Sequence, residues 1–325
     1  MTTARVNLGS ELPARARRIL GSSGPLVGLL LLVVVLSFMS PFFLRIGNLF
    51  NVFQQISVLA ILALGSTAVI ISGGIDLSVG SVLALGGAVC AWAFVDQGLP
   101  LPLAIGLGLG IGAAVGLVNG LLITAGRLPP FIATLATLSV ARGLALVITQ
   151  GEPISGFPQW FRNIATVDLF GVVPLSVVLV VLLYLLGAAY LRYRPSGRAI
   201  YAIGGNEEVA RLSGLHVVKT KLKLYTAAGV LSALGGLVLT ARLNSIQPTA
   251  GTGTELDVIA AVVIGGASLS GGQGTVSGTL IGVLIIGVLR NGLNLLNVSS
   301  FWQQVVIGAV IAIAVMTDTL RRRRR

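Results

Sequence analysis

The residues of this chain that could do chemistry are isolated charges in apolar surroundings. Asp76 follows a Gly-Gly pair in "ISGGIDLSVGSVLALGG", and Arg142 lies near the end of "PPFIATLATLSVARG". A charge at the centre of a membrane costs about 2.5–3.5 kcal/mol on insertion scales, so Asp76 and Arg142 should each face protein, water or a partner. Asp76 and Ser78 can hold the start of the next helix as structural groups, or they can lie on a solute pathway; both interpretations stay open.

Two threonines precede Arg142 with helical spacing. Thr134 and Thr137 lie three residues apart, so a helix places them on one face, with Arg142 within two turns. This polar stripe predicts a surface that faces a channel. The alternative is that both threonines bond back to carbonyl groups of their own helix, which is a structural role.

The usual catalytic residues are almost missing from the sequence. The single cysteine, Cys90, lies in an apolar run and is interpreted as a small packing residue, and the single histidine, His216, lies in a charged segment. No G-x-x-x-x-G-K-[ST] pattern occurs, so ATP binding by a phosphate-binding loop is not predicted. We therefore expect no catalytic residue, no metal and no cofactor bound by this chain, which is not predicted to be an enzyme.

The elements that carry these residues are membrane helices. The chain has 325 residues, of which 55% are hydrophobic and 10% charged, and its mean hydropathy is +0.96. Apolar stretches of about 17–25 residues recur, and each can cross the hydrocarbon as a helix. We predict an all-α polytopic membrane protein with a single membrane domain over residues 25–317 and tails over 1–24 and 318–325. The ten predicted spans are 25–43, 50–72, 78–95, 101–123, 130–149, 172–191, 222–241, 256–268, 275–293 and 302–317.

The distribution of basic residues predicts the orientation. Ten spans place both termini on one side, and that side then receives most of the 22 lysines and arginines, including those of the loop 192–223 and of the basic C-terminal tail. The positive-inside rule therefore predicts that both termini are cytoplasmic. The final "RRRRR" is interpreted as an anchor that touches anionic lipid head groups, and nucleic acid is not an expected partner.

Ten spans divide into two sets of five, and an odd number per half inverts the second half relative to the first. Inverted five-helix halves are typical of transporters. The Gly-rich region "GSTAVIISGGIDLSVG" has a weak counterpart in "GTGTELDVIAAVVIGGASLSGGQG", and the predicted eighth span is unusually short. Interrupted segments at such places indicate a translocation site.

The loop 192–223 contains the signals of a short helix. In "NEEVARLSG", Asn206 can cap the N-terminus, two acids fill the first turn, and Gly214 can end the helix. Such a helix could lie on the membrane surface. Its mixed charge favours docking to a protein instead.

Four long segments together resemble the membrane permease of ribose-type ATP-binding-cassette sugar importers: "GGIDLSVGSVLALGG", "LPPFIATLATLSVARGLALVITQGEPI", "GRAIYAIGGNEEVARLSG" and "IAAVVIGGASLSGGQGTVSGTLIGVLIIGVLRNGLNLL". The resemblance implies a bacterial inner-membrane subunit that pairs with a second permease copy, identical or paralogous. It also implies a cytoplasmic ATPase, which holds ATP and Mg²⁺, and a periplasmic or lipid-anchored sugar-binding protein. "NEEVARLSG" is similar to the family's coupling segment, so Glu207, Glu208, Arg211 and Gly214 are predicted to contact the ATPase.

A neutral sugar needs hydrogen-bonding groups rather than charges along its path. The candidate pathway residues are Asn51, Gln54, Asp76, Ser78, Thr134, Thr137, Asn244 and Gln273. An ion-coupled sugar symporter is the alternative function, with Asp76 or Asp257 as its ion site. The sugar itself stays open among ribose, another pentose, a hexose, an inositol and a furanosyl signalling sugar.

Overall fold

A computed structural model of the protein describes residues 14–169 and 173–323. Parts of the predicted tails, residues 1–13 and 324–325, lie outside the described residues. The described part is mainly helical, in agreement with the predicted all-α polytopic class. Its α-helices are α1 (Ala14–Met39), α2 (Ile46–Ile71), α3 (Val79–Ala91), α4 (Leu101–Thr124), α5 (Pro130–Thr149), α6 (Gln159–Thr166), α7 (Leu175–Tyr193), α8 (Pro195–Gly205), α9 (Glu207–Leu212), α10 (Val217–Leu243), α11 (Thr254–Ile264), α12 (Val276–Leu295) and α13 (Ser300–Arg323).

Seven helices of the described residues are long and apolar enough to cross a membrane: α2, α3 with the π-helical turn Trp92–Asp96, α4, α5, α7, α10 and α12. A shorter apolar stretch, Gly24–Met39, occupies the end of α1. Helix α1 already begins at Ala14, so part of the predicted N-terminal tail is helical. The predicted eighth span is α11, whose 11 residues rise only about 16 Å, roughly half of the hydrocarbon thickness.

Helices α2, α3 and α10 form the centre of the bundle. The apolar windows of these spans are 83%, 72% and 67% buried, against 22% for α7, which lies at the periphery. Helix α10 packs along α4, where Gly108, Gly112, Gly116 and Gly120 repeat every fourth residue on one face. A side chain at Gly112 would collide with the carbonyl oxygen of Gly229 on α10, so the row of small residues permits this close contact.

Cys90 lies in the packed interior at the end of α3. Its side chain is fully buried and lies against Gly108 of α4. The predicted role as a small packing residue agrees with these surroundings.

Two pairs of two-residue strands lie in the loops, one joining the loops after α5 and α10 and one between α6 and α7, and the sequence did not predict them. Strand β1 (Ile154–Ser155) pairs antiparallel with β4 (Ser245–Ile246), and β2 (Asp168–Leu169) pairs with β3 (Val173–Pro174). The first pair joins the loop that follows α5 to the loop that follows α10. Both loops therefore lie at the same end of the bundle.

Candidate functional site

Helix α9 has the boundaries that the sequence predicted. The Oδ1 of Asn206 accepts hydrogen bonds from the backbone N–H groups of Glu208 (3.1 Å) and Val209 (3.0 Å), which satisfies donors of the first turn. Gly214 follows the helix with φ +84°, a left-handed conformation that glycine adopts without strain. The predicted short helix is confirmed.

One side of α9 is anchored and the other is free. Ala210 packs against Ile203 of α8 and Val217 of α10 in a small buried cluster. Glu207 forms an ion pair with Lys221 of α10, with an Nζ to Oε2 distance of 2.6 Å. On the other side Glu208 and Arg211 are exposed, and so are the apolar side chains of Val209 (57%) and Leu212 (83%). An exposed face of apolar and charged groups on an anchored helix can dock to a protein.

Helix α8 touches two interrupted segments of the bundle through glycine. We call Gly73, Gly204, Gly271 and Gly272 the glycine junction. A Cβ at Gly204 would collide with the carbonyl oxygen of Ile71, the last residue of α2. Gly271 has φ +83°, and a Cβ there would lie 2.6 Å from the Gly204 carbonyl oxygen and 2.9 Å from the Gly73 Cα. Backbone therefore contacts backbone at this point.

Hydrogen bonds hold the same junction. The Gly272 N–H donates to the Ile71 carbonyl at 2.8 Å, and the Tyr201 hydroxyl of α8 donates to the Gly274 carbonyl at 3.0 Å. Burial raises the pKa of the Tyr201 hydroxyl, so it stays protonated and can donate. Gln273 lies in this loop with an exposed side chain, while its carbonyl accepts from the Ser268 N–H. The structure thus places Gln273 beside α8 and apart from the other candidate pathway residues.

Asp76 belongs to a buried chain of hydrogen bonds. Its Oδ1 accepts from the Ser78 N–H (2.9 Å) and the Ser78 hydroxyl (2.6 Å). Ser78 Oγ in turn accepts from Asn119 Nδ2 (2.9 Å), and Asn119 Oδ1 accepts from Thr137 Oγ1 (2.6 Å). Ser78 is the N-cap residue of α3. The carboxylate is 3% exposed and lies directly before this helix, as the structural interpretation expects.

Thr134 extends this network to the backbone. Its hydroxyl donates to the carbonyls of Pro130 (2.9 Å) and Ile75 (3.3 Å), and its side chain is fully buried. Both threonines therefore bond back to their own helix, and in addition Thr134 reaches the loop beside Asp76 while Thr137 reaches Asn119 of α4. The network joins α3, α4 and α5. Asn119 is the member that the sequence analysis missed, and its only signal is one amide inside a Gly-rich apolar helix.

Arg142 ties α5 to the loop between α10 and α11. Its Nη1 donates to the carbonyls of Pro248 (2.6 Å) and Ala250 (2.7 Å). The guanidinium is half-buried, and its donors are used by backbone oxygens. This is a positional role for the charge, at the end of the bundle that also holds β1 and β4.

A polar cavity of about 300 Å³ opens near the same end. Its polar lining comes from Gln55 of α2, Arg242 of α10, Thr254 and Asp257 of α11, and Arg290 of α12. Arg290 and Asp257 form an ion pair, with an Nη2 to Oδ2 distance of 2.7 Å. Helix α2 separates this cavity from the glycine junction, because Gln55 and Ile71 are 16 residues apart, a rise of about 24 Å.

The other candidate pathway residues lie around this cavity without lining it. Asn51 is exposed on α2, and the carbonyl of Gln54 lies 3.4 Å from Arg242 Nη1. Asn244 ends α10 with φ 55°, and its Oδ1 accepts from the Phe157 N–H at 3.1 Å. The sequence analysis missed Gln55 and the pairing of Asp257 with Arg290. The available signal was two opposite charges in neighbouring apolar segments.

The arrangement has two ends with different chemistry. At one end, amide, hydroxyl and charged groups surround a cavity that is large enough for a small polyol and offers both donors and acceptors. At the other end, α9 presents a face suited to a protein. The bundle between them contains two interrupted segments that meet α8.

Comparisons with known proteins agree with this architecture. A protein family described as "Branched-chain amino acid transport system / permease component" matches residues 48–315. The chain is 51% identical to the ribose import permease protein of Bacillus subtilis (strain 168), over 91% of this chain and 92% of the relative. It is 47% identical to the ribose import permease protein of Escherichia coli (strain K12), over 91% and 93%. It is 40% identical to the D-allose transport system permease protein of the same strain, over 90% of each.

No solved structure matches the chain significantly. The family match covers most of the described bundle, and the relatives span nearly the whole chain. The protein is a multi-pass protein of the bacterial cytoplasmic membrane. On this evidence the chain belongs to the family of transport permease components that the match describes.

Proposed function

We propose that the chain is the membrane permease subunit of an ATP-binding-cassette importer that carries ribose or a closely related monosaccharide. The observation that carries this proposal is the identity of 51% and 47% to two ribose import permeases over more than nine-tenths of each chain. Identity falls to 40% for the D-allose relative and to 35% for a xylose transport permease, which favours ribose over either of these sugars. In this proposal the chain is not an enzyme and binds no cofactor, and ATP and Mg²⁺ are held by the partner ATPase.

We also propose the finer topology. Ten helices, including the half-length α11, coincide with the ten predicted spans. They form two inverted five-helix halves with both termini in the cytoplasm. The basic residues of the loop 192–223 then lie in the cytoplasm, in agreement with the positive-inside rule. Residues 25–317 form the single membrane domain.

The coupling surface is the exposed side of α9. In this proposal Glu208, Arg211 and the apolar Val209 and Leu212 contact the ATPase, while Glu207 holds α9 to α10 through Lys221. Gly214 provides the turn that returns the chain to α10. A sugar-binding protein delivers the solute at the opposite end, and a second permease copy completes the assembly.

The glycine junction transmits the motion. When ATP binding closes the ATPase, this closure can move the permease only through contacts that differ between two conformations of the permease. Helices α8 and α9 act as a lever, because α8 touches the end of α2 and the loop 265–275 at once. No side chain lies between these backbones that could absorb a displacement by changing its rotamer. A shift of α9 is therefore passed to two central elements together.

The polar cavity is the proposed entry site for the sugar. Arg242 and Arg290 can donate to hydroxyl oxygens, Asp257 can accept from hydroxyl groups, and Gln55 can do both. Affinity there needs only to be weak, because the binding protein supplies specificity. The Asp76 network, in contrast, is buried and holds the start of α3.

Reconstituted vesicles test the proposal. Ribose uptake should require the chain, its ATPase, the binding protein and ATP together. A Glu207→Lys, Glu208→Lys variant should lose uptake by at least about tenfold because it reverses the charge of the docking face and breaks the ion pair with Lys221. Glu152→Lys, an exposed acid in the loop after α5, is the matched control and should transport normally.

Two outcomes would contradict the proposal. Normal uptake by the double variant would remove the coupling role of α9. Uptake by this chain alone under a proton or sodium gradient would establish the ion-coupled symporter instead, with Asp76 or Asp257 as its ion site. Insertion of each variant is checked by its amount in the membrane.

A further inference from the structure

A second and larger cavity of the molecule is a groove between α7 and α10. It has a volume of about 690 Å³, and its floor is formed by Leu64, Gly65 and Ala68 of α2. Its walls come from the apolar side chains of α7 and from α10. Helix α7 is a peripheral helix, with 22% of its apolar window buried, so the groove lies at the outer surface of the bundle.

The two ends of the groove differ in polarity. His216, Lys219 and Lys223 line one end, together with Thr220 and Ser196. The remainder is lined mainly by leucine, alanine and glycine, with Tyr190, Pro195 and Val276, and no acidic residue contributes to it. Both lysines are exposed and form no ion pair within the described residues, whereas Lys221 between them turns away and pairs with Glu207. The groove is therefore amphipathic and carries uncompensated positive charge at one end.

The dimensions fit one leaflet of a membrane. Lys219, Lys223, Ala227 and Leu231 follow one another at four-residue intervals along α10, so they line the groove as a single row. From Lys223 to Leu231 the rise is about 12 Å, against about 15 Å for half of the hydrocarbon thickness. When a lipid head group lies at the lysines, an acyl chain of the same lipid therefore lies along the apolar part of the groove.

We propose that this groove binds an anionic glycerophospholipid, with its phosphate at Lys219 and Lys223 and an acyl chain between α7 and α10. Basic pockets between membrane helices bind anionic head groups, and the negatively charged lipid phosphate can form ion pairs with the two unpaired ammonium groups. The apolar walls receive an acyl chain at no cost in desolvation. The bound lipid fills the space beside the lever formed by α8, since Ser196 and Ala199 of α8 also line the groove.

Native mass spectrometry of the full chain in detergent tests this inference without any transport assay. Titration with phosphatidylglycerol should show one retained lipid, and phosphatidylcholine should bind much more weakly. Each surface lysine contributes about a fivefold gain in binding of an anionic lipid, so Lys219→Gln, Lys223→Gln should weaken phosphatidylglycerol binding roughly thirtyfold. Lys221→Gln is the matched control and should bind as the unchanged chain does.

A second variant examines the apolar part. Ala227→Trp fills the groove and should remove the retained lipid whatever its head group. Unchanged phosphatidylglycerol binding by the double lysine variant, or equal binding of both lipids, would overturn the proposal. A disulfide-linked dimer formed by Ala227→Cys in membranes would also overturn it, because the groove would then face a second copy of the chain.

Discussion

At the scale of single residues, the buried polar groups of this protein divide into two kinds. Asp76 is joined through Ser78 to Asn119 and Thr137 in one chain of hydrogen bonds within the protein. Asp257 and Arg290 are paired at the edge of a cavity, and the Arg290 side chain is still 43% exposed. Groups of the second kind can exchange a protein partner for a solute, which is why the cavity is the better candidate for sugar contact.

Asp257→Asn tests this distinction. It preserves the shape of the side chain but removes the charge that accepts from Arg290 and from a sugar hydroxyl. We expect at least about a tenfold loss of uptake at low sugar concentration, since a hydrogen bond to a charged group contributes about 1.5 kcal/mol or more. The measurement is initial uptake into vesicles that contain the complete importer.

Asp96→Asn, at the exposed end of the π-helical turn after α3, is the control for the same chemical change. It should leave uptake unchanged. If Asp257→Asn also transports normally, the cavity does not belong to the sugar pathway.

At the scale of elements, hydropathy and capping signals were sufficient to predict where the helices lie but insufficient to predict which helices contact one another. The period and length of apolar runs predicted α2, α4, α5 and α12 within a few residues, because crossing a membrane constrains length strongly. Asn206 and Gly214 predicted α9 through local backbone chemistry. The pairing of Asp257 with Arg290 and the approach of Gly204 to Ile71 depend on tertiary packing, which no local pattern encodes.

Gly204→Ala tests the contact between α8 and the bundle. Its Cβ would collide with the Ile71 carbonyl and come within 2.6 Å of the Gly272 nitrogen, so α8 must shift away from both interrupted segments. We expect ATP hydrolysis by the assembled importer to continue while sugar uptake falls by about tenfold or more, since a shift of this size in a supporting contact misplaces distant groups. The ratio of sugar transported to ATP hydrolysed is the measurement.

Gly205→Ala is the matched control on the same helix, because a Cβ at Gly205 has no neighbour within 4 Å. Its ratio of sugar transported to ATP hydrolysed should equal that of the unchanged chain. Equal ratios for both variants would show that the glycine junction does not carry the coupling.

At the scale of the whole molecule, both the distribution of charge and the shape distinguish the same two ends of the bundle. The loop 192–223, with three lysines and several arginines, contains α8 and α9, whereas the loops that contain β1 and β4 lie at the opposite end. Between the ends lies the half-length α11, and the loop 265–275 that follows it is held against α2 by the hydrogen bond from the Gly272 N–H to the Ile71 carbonyl. The bundle thus has the exposed face of α9 at one end and the polar cavity at the other.

Cysteine labelling of whole cells tests this polarity. Ser155 in β1 and Ser213 after α9 are both exposed, so the side of the membrane alone decides their access to an impermeant thiol reagent. Ser155→Cys should react from outside and Ser213→Cys should react only after the membrane is opened. The reverse pattern would invert the proposed topology.

The burial of Cys90 has a consequence for the redox chemistry of this protein. Thiol oxidation and disulfide exchange require an accessible thiolate, and the one thiol of the chain is sealed between α3 and α4. The permease therefore presents no sulfhydryl group to oxidants on either side of the membrane.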